Sequence, residues 1–191
     1  MFKSNSLRFF FFLVLIAASI QAYAETSDEC LTEMKKLDFM RGIWAGPASG
    51  TNPEGKPYAV YQTERMGTML NGQLVVIEGR GYLPDGKVAF NAFGIVSWNS
   101  FTKKYEIRSY AQGMSGTFDF IPTANGYIWT IPAGKGTIRY TATVNGNNWK
   151  EVGELIEAGK TIEKNFEMNL KKVGPTDWPS ENPVSPNAGK M

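Results

Sequence analysis

The chain has 191 residues, with 20 Lys+Arg against 18 Asp+Glu, a formal net charge of +2, no histidine and a single cysteine. That length suits one domain, the near balance of charge excludes a general nucleic-acid binder, which needs a basic excess, and one cysteine excludes an internal disulfide. A chain without histidine also lacks the commonest general base and metal ligand.

Residues 1–24 read as a secretory signal peptide. Lys3 and Arg8 precede an apolar run from Phe9 to Ile20 broken only by Ser19, and Ala22-Tyr23-Ala24 gives a small-x-small cleavage site. The run falls short of the ~20 apolar residues that span a bilayer. The mature chain is therefore expected to be secreted or periplasmic, with no integral membrane span after cleavage. Lys3 and Arg8 account for the whole charge excess, so the chain from residue 25 onward is formally neutral.

Residues 25–39 form an N-terminal helical segment. In "SDECLTEMKKLD", residues 27–38, Ser27 or Asp28 can cap a helix with acidic residues early and lysines late. Leu31, Met34 and Leu37 recur at helical spacing and are expected to pack on the main body. Cys30 falls on this helix. Ser27-Asp28-Glu29 before it is no lipobox, so Cys30 is expected to be partly buried and inert.

Residues 40–173 carry strand-like runs at 42–50, 57–68, 73–82, 87–98, 104–112, 115–121, 127–132, 136–144, 149–157 and 161–172. Turn signals separate them: Asn71-Gly72, Pro84-Asp85-Gly86, Asn125-Gly126, Asn145-Gly146 and Ala158-Gly159. No long helix interrupts the series. The expected fold is all-β: an antiparallel up-and-down barrel of about ten strands with a short N-terminal helix, closed because closure removes exposed edges. Residues 174–191, with prolines at 175, 179, 183 and 186, are expected to be disordered or a loose strap.

The first strand lies in "LDFMRGIWAGPASG", residues 37–50. Alternation puts Trp44, Gly46, Ala48 and Gly50 on one face. Small residues in register leave a trough that another backbone or a flat ligand can approach closely, with Trp44 as a rigid plug at its end. Pro47 cannot donate to a ladder, so this strand is expected to be bulged or locally at an edge. Gly42-Ile43-Trp44, after a short helix, resembles the G-x-W signature of the calycins, the lipocalin and fatty-acid-binding-protein superfamily. The longer string resembles the G-T-W-x-G-x-G-x-G first strand of nitrobindin-like barrels, with Ala48 a departure. It is also similar to secreted families of unknown function that begin L-D-x-L-x-G-x-W. The resemblance implies a barrel over roughly residues 37–173, closed at one end by the tryptophan.

Nitrobindin-like proteins hold haem through a last-strand histidine in a segment like H-L-x-x-x-x-K-K-V. Here that segment is "KNFEMNLKKV", residues 164–173, and Asn165 stands at the histidine position. Iron would lose its proximal imidazole, so no cofactor is expected and no haem in the nitrobindin manner. Alternation puts Ile162, Phe166, Met168 and Leu170 on one face and Glu163, Asn165, Glu167 and Asn169 on the other. Alternation alone turns the apolar set inward; the resemblance turns Asn165 inward.

Carboxylates are plentiful, among them Glu64, Glu78, Glu106, Asp119, Glu151, Glu154, Glu157, Glu163 and Glu167, but none pairs by spacing, and all are expected on the solvated surface. No metal site is evident. The aromatic share of 13% belongs mostly to core and sheet packing. Charged residues on many strands disfavour an outer-membrane barrel. The sequence therefore points to a secreted or periplasmic binding barrel for a small apolar or amphipathic ligand, with Trp44, Gly46, Ala48, Gly50 and Asn165 as its contacts. Two alternatives stand beside it: a filled-core interaction module, and an enzyme using an inward carboxylate, for which Glu163 and Glu167 are the candidates.

Overall fold

The computed structural model describes residues 28–52 and 54–179. The expected signal peptide and the tail from residue 180 lie outside the described residues.

A helix over residues 28–35, α1, leads into a short 3-10 turn, Asp38–Met40. Ten strands follow: β1 Gly42–Thr51, β2 Pro57–Met69, β3 Leu74–Tyr82, β4 Val88–Asn99, β5 Lys104–Ala111, β6 Met114–Thr123, β7 Gly126–Ala133, β8 Gly136–Asn145, β9 Asn148–Glu157 and β10 Lys160–Gly174. Each pairs antiparallel with its sequence neighbour, and β10 pairs with β1, which closes the barrel and leaves no free edge. The strand limits lie within about two residues of those read from alternation and turn chemistry. Gln112 and Gly113, between β5 and β6, both take positive φ, 51° and 80°, the geometry of a tight two-residue hairpin.

The seam between β1 and β10 explains the small residues of β1. A Cβ on Gly46 would stand 2.2 Å from the Asn169 carbonyl oxygen, and one on Gly50 would stand 2.3 Å from the Asn165 carbonyl oxygen. The β10 backbone thus fills the trough. The ladder runs Ala45↔Lys171 and then Ala48↔Met168, passing over Gly46 and Pro47, where proline has no N–H to give. Pro47 is nevertheless on a strand paired on both sides, opposite Tyr61 of β2. The expected edge does not exist, because closure supplies a neighbour.

α1 covers one end of the barrel. Cys30, Met34, Leu37 and Met40 are buried against Trp44, Val75, Val96, Tyr105, Val144 and Leu170. The Tyr105 hydroxyl donates to the Glu33 carboxylate at 2.6 Å, and Lys103 pairs with Glu29 at 2.7 Å. These contacts tie the helix to β5 and the turn before it. Trp44 is fully buried, donates its indole N–H to the Met40 carbonyl at 2.9 Å, and meets Trp149 edge-on at 5.7 Å. Burial pushes the Cys30 thiol upward in pKa, with Glu29 adding to it, which leaves it a poor nucleophile. No helix among the described residues is long and apolar enough to cross a membrane.

Just past β10, Trp178 docks on the outer wall. Its ring meets Phe93 edge-on at 6.4 Å and lies under the Arg65 guanidinium at 4.3 Å. Gly67 of β2 has no side chain because the Trp178 carbonyl oxygen sits where its Cβ would be. The remaining outer wall carries ion pairs: Arg65–Glu78–Arg80, Arg139–Glu154 and Lys150–Glu167–Lys164.

Gly46→Ala is expected to lower the urea midpoint markedly, by on the order of 2–3 kcal/mol in stability, because the clash is with backbone. Gly94→Ala is the control. Its Cβ would meet only side chains, at 3.6 Å and beyond, so the same denaturation experiment should show little change.

Candidate functional site

The inner face is divided along the barrel axis. Toward α1 it is filled by Trp44, Trp149, Tyr127, Phe120 and Leu170, all buried. Toward the opposite end, where the 83–87, 112–113, 134–135 and 158–159 turns lie, no helix among the described residues covers the mouth.

At the boundary sits a buried polar group of four. β2 turns Gln62 and Glu64 inward, two residues apart, and β9 turns Glu151 inward between Trp149 and Gly153. Glu64 is 8% exposed and Glu151 6%. The Gln62 amide donates to Glu64 Oε1 at 2.7 Å, and the Tyr127 hydroxyl donates to Glu151 Oε2. The Trp129 indole of β7 also acts on the same carboxylate. Two glycines of β3 make the room. Gly79 and Gly81 stand directly opposite Glu64 and Gln62. A Cβ at Gly79 would come within 2.6 Å of Glu64 Oε1.

These carboxyls are not the solvated ones expected from the sequence. Their placement corrects that expectation, and the reason is barrel closure: period-2 alternation on β2 and β9 puts them on the inside whatever their polarity. Burial pushes Glu64 up to about 8, against the help of Gln62 and with the nearby charge of Glu151 raising it further. Burial likewise raises Glu151 to about 7, opposed by the Tyr127 hydroxyl and the Trp129 indole. Tyr127 is held well above the usual phenol range, by burial first and then by Glu151. Among the described residues, no lysine or arginine forms an ion pair with Glu64 or Glu151; Arg65, Arg80, Arg139, Lys150 and Lys164 are engaged on the outer wall.

Above this polar floor the wall is aromatic. Trp129 stacks on Tyr140 at 4.6 Å, with Phe118 at 6.1 Å from Trp129 and Phe166 at 6.0 Å from Tyr140. All four are only half-buried, and Tyr58 at the rim is 38% exposed. Solvent therefore reaches the inner face at this end.

The five residues singled out from the sequence fall into three places. Trp44 is in the plug at the covered end. Gly46, Ala48 and Gly50 line the β1–β10 seam. Asn165 lies at a β-bulge between Lys164 and Phe166. The bulge reconciles the two expected registers. Phe166, Met168 and Leu170 face inward, yet Asn165 Oδ1 also turns in, and it and Phe166 Cβ lie equally 3.0 Å from where a Gly153 Cβ would be. Asn165 Oδ1 is buried without a hydrogen-bond partner. The irregular register also turns Ile162 outward, 57% exposed, against expectation. Glu163 is exposed, and Glu167 faces the outer wall, where Lys164, Asn169 and Lys150 pull it down to about 2. Glu163 stands opposite Leu155, on the face of β9 that carries Glu151, but out at the exposed rim, so neither is a buried inward carboxylate. Glu64 and Glu151 take that position, and the cross-strand Gly79 and Gly81 were the signal, legible only once the β2–β3 register is known.

A groove of about 460 Å3 on the outer wall, lined by Glu78, Arg80, Phe93, Tyr110 and Met114, is broadly open to solvent and lies on the other side of the sheet from the carboxyls. Among the described residues no group of three or more Cys, Asp or Glu side chains is placed to hold a metal ion.

No protein-family model matches the sequence, and no curated protein matches it. Among solved structures, the chain is similar to the crystal structure of Rv2717c from M. tuberculosis. The TM-score is 0.55 at 12% identity, over 73% of this chain and 96% of that one. At that identity the likeness establishes a shared barrel fold.

Both buried carboxyls hold their protons more tightly folded than unfolded. Between the ordinary value of 4.5 and about 8 the folded state carries more protons than the unfolded one. Stability must therefore fall as pH rises through that window, by on the order of a few kcal/mol. The outer carboxylates lowered by ion pairs, Glu78 and Glu167, act in the opposite sense and only below 4.5. The melting temperature is expected to drop between about pH 5 and about pH 8.5, and a Glu64→Gln/Glu151→Gln double variant should flatten that drop. A double variant as pH-sensitive as the parent would show that these groups do not carry the effect.

Proposed function

We propose that this chain is a small-molecule-binding barrel that takes an amphipathic ligand through its uncovered end. One observation carries the reading: a half-exposed aromatic wall of Tyr58, Phe118, Trp129, Tyr140 and Phe166 stands over a buried polar floor. An apolar wall with a few convergent polar groups is the usual make-up of a ligand site. The G-x-W strand and its plug agree with a calycin-like barrel, and the leader supports a secreted or periplasmic setting. The ion-paired outer wall agrees with an aqueous exterior, since charges facing lipid are costly. The near-neutral mature chain gives no support for a nucleic-acid partner.

In this reading Trp44 closes the far end of the cavity and does not touch the ligand, Gly46, Ala48 and Gly50 let the strands meet, and Asn165 offers a polar contact. Haem does not fit. At Asn165 an amide oxygen stands in place of an imidazole, and the chain has no histidine to supply one. A second reading, the interaction module, draws on the outer groove beside Phe93 and Tyr110. The enzyme reading rests on Glu64 and Glu151, whose raised pKa values suit an acid or base.

Native mass spectrometry of the full chain exported from its own cells tests the binding reading. A stoichiometric small molecule is expected, and Trp129→Ala should weaken its rebinding by about tenfold or more, read by fluorescence titration. Tyr110→Ala, on the outer wall, should leave it unchanged. The reverse pattern, or a bare chain that takes up no amphiphile, would move the function to the outer groove.

A further inference from the structure

The floor beneath the uncovered end gathers two buried carboxyls that no cation of the described residues pairs with, while the buried indole N–H groups of Trp98 and Trp149 also lack partners. Glu64 and Glu151 bring four carboxylate oxygens. The donors facing them are the Gln62 amide, the Tyr127 hydroxyl and the Trp129 indole. One further acceptor, independent of the carboxyls, goes unanswered. Asn165 Oδ1 is buried and has no partner. Gln62 is 4% exposed and its amide nitrogen is spent on Glu64. Buried acceptors are normally satisfied, and a buried carboxylate normally has a cation beside it. Here the described residues give Asn165 Oδ1 no donor and the two carboxyls no cation.

The groups facing the pair come from every side of the barrel. Gln62 and Tyr58 share β2 with Glu64; Tyr127 and Trp129 come from β7, Tyr140 from β8, and Asn165 from β10. β1 brings no charge. Glu78 of β3 acts on Glu64 from the outer side of the sheet and is itself paired with Arg65 and Arg80. Every charge that acts on the interior pair is negative.

We propose that the ligand of this barrel is a small organic cation, an ammonium on an apolar or aromatic body, whose N–H groups answer Glu64 and Glu151 while its body lies against Trp129 and Tyr140. This rests on the binding reading above and names its ligand class. An ammonium supplies several donors and no acceptor, so it matches two carboxyls that have no cation beside them. Aromatic faces attract a cation as well as an apolar body, so the wall at the mouth serves both parts. The exchange is balanced. The cation enters with its own proton, the carboxyl that it pairs with releases one to solvent, and the net charge of the site returns to its starting value. Binding therefore strengthens as pH rises, by up to about tenfold per unit while one proton is released per cation bound.

Isothermal titration of the full mature chain tests this with phenethyl and hexyl ammonium, the matching alcohols and the matching carboxylates, at about pH 6 and about pH 8. The ammonium ions are expected to bind at least about tenfold more tightly than the alcohols at the higher pH. The carboxylates should bind worst, and the heat should vary with buffer ionisation as a proton leaves. Glu64→Gln/Glu151→Gln should remove both the ammonium preference and the pH dependence while still binding the alcohols, which shows that the variant is folded. Alcohols that bind as well as the ammonium ions, at both pH values, would overturn the cation proposal and leave the barrel a binder. If no head group on either body binds, the binding reading falls with it.

Discussion

The architecture depends on one close approach, that of β10 to β1. Nine strand pairs form between sequence neighbours and need only turns. The tenth joins residues more than a hundred positions apart, and it works because Gly46 and Gly50 present no side chain to the β10 carbonyls. Without that seam the sheet would have two free edges. The inner faces of β2 and β9, which flank β1 and β10, would also no longer face one another across a common interior.

Closure has a cost, and the structure shows where it falls. A strand committed to a barrel must turn every second residue inward, including polar ones. Over the half beneath α1 this is met with apolar volume: Trp44 and Trp149 in edge contact, Phe120 stacked on Tyr127, and Leu170 and Val144 around them. Over the other half it leaves Gln62, Glu64 and Glu151 inside, without a counter-ion among the described residues. Desolvation then favours their protonated forms, so the interior lowers its electrostatic cost by holding protons near neutral pH. A ligand that brings positive charge relieves the same cost in another way, and for this reason the polar floor and the open mouth belong to one functional reading.

The bulge at Lys164–Phe166 shows how a single extra residue changes what an interior presents. Regular alternation would have offered either Phe166 or Asn165 to the barrel. The bulge offers both, placing an amide oxygen next to an aromatic ring at Gly153. It lies near the mouth, on the seam strand, and so shapes the site without disturbing the ladder nearer the plug, where Met168 and Leu170 pack.

Much of this protein was determined by the sequence itself. Alternation and turn residues are local, and they marked about ten strands, their limits and an antiparallel meander; the small residues beside Trp44 marked a place of close approach, read from the sequence as ligand contacts and filled in the structure by the β10 backbone. The candidate site was hidden for the opposite reason. Glu64 and Glu151 are 87 positions apart, on strands that look half polar, and nothing local distinguishes an inward glutamate from an outward one. Glu167 alternates just as regularly and points to solvent. Only tertiary closure decided which carboxyls lost their water, because burial is a property of the assembled barrel and not of any strand within it.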